Sequence, residues 1–180
     1  MAIYEAIGTI ITETDVSSVE FTSIPSTYEH LELITSMSCE GTGYYESIFV
    51  QYGTGGGAAD SGTNYANGQI WSYYSSIGAG NSASNAGAYQ GFATEVSSRP
   101  TLRFGTGRSI ILDYANANKN CTSFHDMGGA YYNTTSNYTE ISTNVWDNTG
   151  AVDRIKLIPY TGSIDFLRGS TFSLYGIKSS

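Results

Sequence analysis

Charge is scarce in this chain of 180 residues: Asp, Glu, Lys and Arg together make up 13% of it, with 16 acidic side chains against eight basic ones. The basic residues are dispersed, and the net charge of -8 leaves no patch suited to nucleic acid or to an anionic membrane. No apolar run approaches the ~20 residues that a membrane helix needs. The opening Met1-Ala-Ile-Tyr-Glu5 also lacks the basic and apolar parts of a secretion leader, so synthesis in a cytoplasm without membrane insertion is expected. Cysteine occurs twice, too little for a disulfide framework. Cys39 extends the series Leu31, Leu33, Thr35 and Met37, the place of a reduced core thiol, and two thiols are expected in preference to a Cys39–Cys121 bridge.

Glycine and tyrosine are abundant instead, at 21 and 15 residues against three prolines. Tyr and Thr suit pleated surfaces while Gly and Asn suit turns, so many short strands are expected. Alternation marks several of them. Val19 and Phe21, then Leu31 and Leu33, then Ile48, Val50 and Tyr52 each lie on one face of an extended segment. Further segments are Thr101–Phe104, Ser109–Tyr114, Tyr138–Trp146 and Val152–Tyr160. The closing stretch TFSLYGIK puts Phe172 and Leu174 on one side and Thr171, Ser173, Tyr175 and Ile177 on the other, which predicts a strand fixed in the core. Asp147-Asn-Thr-Gly150 is turn chemistry and predicts a hairpin, with the closing strand as third member of that set. Trp146 falls out of phase with Ile141, Thr143 and Val145, predicting either a bulge or a ring that covers an edge. Residues 58–91, rich in Ser, Gly, Asn and Ala, read as long loops with a strand or a helical turn. The expected architecture is one all-β domain over residues 1–180, an antiparallel two-sheet β-sandwich of jelly-roll type with long loops and no long helix.

Most chemical motifs have ordinary explanations. His125-Asp126 adjoin in sequence, but a hydrolytic pair needs side chains that converge in space, so His125 reads as a polar loop residue. His30 lies opposite Leu31 and Leu33 and suits an exposed or inter-subunit position. Gly53-Thr-Gly-Gly-Gly57 is followed by no Gly-Lys-Ser/Thr, so it is a flexible connection and not a phosphate loop. Asp147, Asn148 and Asp153 offer oxygen atoms, yet their spacing is not that of an EF-hand, and no metal or cofactor is expected. Asn120, Asn133 and Asn137 head glycosylation sequons of the kind an Asn- and Thr-rich chain produces by chance.

One stretch carries more. Tyr65, Trp71, Tyr73, Tyr74 and Tyr89 stand among Ser, Gly and Asn, the composition of adaptable binding surfaces. Their rings offer apolar area with a polar tip, suited to stacking on sugar faces or on a protein partner. They are the candidate ligand-binding residues. Completion of the sandwich or of a subunit contact is the equal alternative.

Ala2-Ile-Tyr-Glu-Ala-Ile7, Ser18–Leu33, Ile111–Lys119, Trp146–Leu157 and Gly169–Lys178, in that order, resemble a group of small virion surface proteins of tailed bacteriophages, of tail-fibre or head-decoration type. The resemblance covers about half the chain and implies a scaffold and a place on a virion, with no catalytic residues. It implies self-association, a trimer by preference, and contact with other capsid or tail proteins. Residues 53–100 fall outside it, where surface proteins vary. Three functions are therefore open. The first is a tail-fibre or spike component binding host surface glycan or protein through the loop aromatics. The second is a decoration (cement) protein that clamps capsid subunits. The least favoured is a polysaccharide depolymerase or a cellular carbohydrate-binding module. A depolymerase works with paired carboxylates, and nothing in the sequence pairs Asp113, Asp126 or Glu140, so no enzymatic activity is expected.

Overall fold

The computed structural model describes residues 3–41, 45–73, 76–95, 103–130 and 137–178. Twelve strands run through them. The first four are β1 (Ile3–Ile11), β2 (Val19–Phe21), β3 (His30–Cys39) and β4 (Tyr45–Thr54). Next come β5 (Tyr65–Tyr73), β6 (Ser76–Asn85), β7 (Ala88–Glu95) and β8 (Gly105–Leu112). The last are β9 (Cys121–Ala130), β10 (Asn137–Trp146), β11 (Val152–Pro159) and β12 (Thr171–Lys178). No helix occurs among the described residues.

The strands form two antiparallel sheets. The larger has the order β1-β12-β3-β8-β9-β10-β5-β6, and the smaller the order β2-β11-β4-β7. A two-residue parallel pairing of Ser38 and Cys39 with Thr94 and Glu95 joins them at a corner. The inward faces meet in one large core. Leu31, Leu33, Ile111, Phe172 and Leu174 of the larger sheet pack with Val19, Phe21, Ile48, Val50, Ile155 and Leu157 of the smaller. This is the expected all-β, jelly-roll-like sandwich. Cys39 and Cys121 are buried thiols with no bridge between them.

The closing strand lies inside the larger sheet, as its alternation predicts, but between β1 and β3 and not beside β10 and β11. Phe172 and Leu174 are fully buried. Gly176 faces the Tyr28 ring, and a Cβ built there would stand 2.2 Å from a ring carbon. Gly176→Ala should therefore cost ~1 to 3 kcal/mol in a urea titration. An unchanged midpoint would show that Tyr28 yields freely.

Three further expectations are corrected. Residues 58–91 are mostly strand: β5 pairs with β6 as a hairpin, and β7 follows in the other sheet. Asp147–Gly150 is not a hairpin turn, because β10 belongs to the larger sheet and β11 to the smaller. The turn carries the chain across the sandwich, with the Gly150 N–H donating to Asn148 Oδ1 at 2.7 Å. Trp146 makes neither a bulge nor an edge cover. The ladders of β10 run without a shift on both sides, and Trp146 is buried in phase with Tyr138, Glu140, Ser142 and Asn144.

It is Ile141, Thr143 and Val145 that face outward, because β10 turns its polar residues to the interior. The reason lies in β7, at the edge of the smaller sheet, where strand pairing leaves backbone groups to satisfy. Asn144 Oδ1 accepts from the Tyr89 N–H at 2.7 Å. Asn144 Nδ2 and Ser142 Oγ donate to the Tyr89 carbonyl at 3.2 and 3.1 Å. Tyr138 donates its hydroxyl to the Phe92 carbonyl at 3.1 Å. The side chains of β10 thus do for β7 what a neighbouring strand would do.

Candidate functional site

At the end of the sandwich where β5 and β10 lie opposite β4 and β7, the two sheets enclose a cleft of about 360 Å³. Tyr45 and Ser47 come from β4, Gln69, Trp71 and Tyr73 from β5, Tyr89 and Phe92 from β7, and Tyr138 from β10. Phe92 is the hub of the rings. Its centroid lies 4.2 Å from Tyr45, 5.6 Å from Tyr89 and 5.3 Å from Tyr138, the last two edge-on, an arrangement that ring quadrupoles favour. Tyr45 meets Tyr73 edge-on at 6.3 Å.

Local sequence explains the placing of Trp71. It pairs across the hairpin with Gly78, where a Cβ would stand 2.1 Å from the indole. The absent side chain lets the indole lie over β6. The polar tips are anchored too: the Tyr89 and Ser47 hydroxyls are 3.3 Å apart.

Glu140 stands on the inward face of β10 between Tyr138 and Ser142, level with Trp71 of β5 and Met127 of β9. It is 3% exposed. Neither carboxyl oxygen has a hydrogen-bond partner among the described residues. Burial pushes the carboxyl up to about 8. Glu140 does not line the cleft, but its charge acts on two of the rings that do. Burial first, and the Glu140 charge second, raise the Tyr89 phenol. Burial, then Tyr73 and Glu140, raise that of Tyr45.

Deeper in, His125 is corrected from a loop residue to a buried strand residue, 1% exposed on β9. The Tyr52 hydroxyl donates to Ser123 Oγ at 3.1 Å, and Ser109 Oγ donates to Gln90 Oε1 at 2.7 Å. These two bonds fix the direction of the rest. Ser123 Oγ donates to His125 Nε2, and His125 Nδ1 donates to Ser109 Oγ, each at 2.7 Å. The imidazole is neutral, and burial lowers it to about 3. Both ring nitrogens are held by hydroxyls, so no carboxylate orients the ring. Asp126 points the other way, paired with Arg108 at 2.9 Å.

The sequence candidates divide. Trp71, Tyr73 and Tyr89 come together in the cleft. Tyr65 does not: at 1% exposed it is stacked on Trp146 at 6.2 Å, with its hydroxyl on the Asp60 carbonyl. Tyr74 lies outside the described residues, as does Asn133. Tyr45, Phe92, Tyr138 and Glu140 had no place among the candidates. The inverted alternation of β10, with Tyr138, Glu140 and Trp146 in one phase, is the signal that could have found two of them.

Asp113, Asp126 and Glu140 form no pair. Asp113 is engaged by Lys119 and by His30, and Asp126 lies on the opposite face of the sheet from Glu140. One side-chain oxygen each of Asp147, Asn148 and Asp153 accepts from Asn120, Gly150 and Gly56 respectively, and no cluster of three metal-ligating side chains occurs among the described residues.

The outward face of the larger sheet is the second notable surface. Ile34, Arg108, Asp126, Ile141 and Ile70 form one row across it, with Ile77, 82% exposed, in the next. No family model matches the chain, and no curated protein matches it significantly.

Proposed function

We propose that the chain is a recognition protein of a bacteriophage virion surface, a tail-fibre or spike component that holds a host surface glycan in the aromatic cleft. The observation that carries this reading is the cleft itself: rings from four strands around a space of about 360 Å³, with a buried carboxyl behind them. Concave sites of this size, mostly apolar with a few convergent polar groups, are where small ligands bind. Flat rings stack on sugar faces, while Ser47 and Gln69 offer bonds to hydroxyls. The location rests on the resemblance of the five segments named above to virion surface proteins of tailed phages. No nucleophile or carboxylate pair is part of the proposal, and the role is binding without chemistry.

The test is adhesion. Purified protein should compete with phage for host cells, and Trp71→Ala, which removes a half-buried ring of the cleft, should lower the competition at least about tenfold. Equal competition by wild type and variant would overturn the assignment of the cleft.

A second reading, the decoration protein, is favoured by the outward face of the larger sheet. Its exposed Ile34, Ile70, Ile77, Ile141 and Val145 are what a contact between virion subunits would cover. Self-association as a trimer belongs to both readings. Copy number in the particle separates them: a decoration protein accompanies the capsid protein in comparable amounts, and a fibre component is a small minority.

A further inference from the structure

We propose that β6 is the contact for a second copy of the chain: the β6 strands of two copies pair antiparallel about a two-fold axis, and the larger sheet runs on from one molecule into the other. The inference depends on neither reading of the function. It is separate from any three-fold contact, since an isologous pairing closes at two copies.

The sheet edges lead to it. A bare strand edge offers a row of unpaired N–H and C=O groups to any other chain, and folded proteins guard against this with short strands, charges, bulges or covering groups. Four strands lie at sheet edges, and three of them are guarded. β2 has only three residues. β1 carries Glu5, paired with Lys178 at 3.1 Å, and a register shift between Ala6 and Gly8. In β7, backbone groups of Tyr89 and Phe92 are taken by Asn144, Ser142 and Tyr138. β6 has none of these devices. It is ten residues long, contains no Asp, Glu, Lys, Arg or Pro, and pairs with β5 without a shift from Ser76 to Ser82. No strand among the described residues takes its other flank.

Such a flank takes a strand, and the side chains suit that strand being β6 itself. Ile77, Ala79 and Asn81 alternate with Gly78, Gly80 and Ser82, so two antiparallel copies meet through small or uncharged groups and no like charges stand opposite each other. With a net charge of -8, two copies repel through much of their surface. A long strand without charge is where they can approach. Apolar area adds to the contact: Ile77, 82% exposed, lies diagonal to Ile70 of β5, 63% exposed, on the outward face. A partner strand on the free side of β6 takes part of Ile77 out of water.

Mass in solution is the test. At about 100 μM, light scattering behind a sizing column should give an even multiple of the 19.3 kDa of one chain. Ala79→Lys puts a charge on the exposed edge and should halve that mass while the cooperative thermal transition remains. Tyr4→Lys, the same kind of change at an exposed position of β1, should leave the mass unchanged. Hydrogen exchange needs no variant: amide protection in Ser76–Ser82 should rise with protein concentration, while that in β1 should not. A single-chain mass, an odd multiple, a mass that Ala79→Lys leaves as it was, or protection in β6 that ignores concentration would each overturn the pairing. The functional readings are judged separately, by adhesion and by copy number.

Discussion

Stability against urea is expected to be greatest on a plateau between about pH 4.5 and 6.5 and to fall on either side, because two buried groups titrate in opposite senses. Glu140 ionises at about 8 in the fold against an ordinary 4.5. Between those values the native state keeps a proton that the unfolded chain has released, so stability falls as pH rises. His125 is lowered to about 3 from an ordinary 6.5. Over that range the unfolded chain binds a proton that the native state refuses, so stability falls as pH drops. Where the ranges overlap the slopes cancel. Outside the overlap one group acts alone, at ~1.4 kcal/mol per pH unit. The alkaline limb, from 6.5 to 8, belongs to Glu140. The acid limb, below 4.5, belongs to His125 and is steepened by Asp60 and Asp113. Hydrogen bonds from Asn64, Trp146 and Gly62 hold Asp60 low against its burial, and Lys119 holds Asp113 low. Urea midpoints at pH 4, 5.5, 7 and 8.5 would trace this shape. Glu140→Gln should abolish the alkaline fall and, with nothing left to cancel His125, extend the acid limb up to about pH 6.5. An alkaline fall of the same size in that variant would remove Glu140 as its cause.

The same two residues mark where a sequence reading stops. Alternation betrays a strand when its inward face is apolar, as with Leu31 and Leu33, or Phe172 and Leu174. In β10 the inward face is Glu140, Ser142 and Asn144, and the apolar alternation of Ile141 and Val145 belongs to the outer surface. The phase was therefore inverted, and the buried carboxyl with it. In β6, Gly78 and Gly80 stand opposite Trp71 and Gln69 and leave them room, so glycine there signals a strand beneath larger neighbours and not a loop. Of the cleft, Trp71, Tyr73 and Tyr89 were legible because they stand in one unusual stretch. Tyr45 and Tyr138 were not, because the topology brings them in from strands that individually look ordinary. The polar interior that links these strands depends on which backbone groups at the edge of β7 need partners, and that is settled only once the sheets are laid out.

A chain ending at Ser170 is expected not to fold. It would lose β12, which pairs along its length with β1 on one side and β3 on the other. β1 has no other partner among the described strands, so removing ten residues, eight of them in β12, leaves the nine of β1 unpaired and exposes one flank of β3. Phe172 and Leu174, both fully buried, would leave the centre of the core, where Phe172 meets Phe166 at 5.1 Å. The turn before the strand is tied in as tightly. Thr12 and Ser170 exchange backbone and hydroxyl bonds, and Ser170 Oγ bonds both to the Ser38 N–H and to its carbonyl. No local rearrangement replaces these contacts, so the cooperative thermal transition should vanish. Single substitutions grade the same effect. Leu174→Ala should cost ~2 to 5 kcal/mol, the range for deleting a buried leucine side chain. Ser173→Ala, one residue away on the outward face, removes only an exposed bond to Thr9 and should cost less than ~1 kcal/mol. A truncated chain that still melts cooperatively, or equal losses at 173 and 174, would show that the end of the chain does not hold the sheet together.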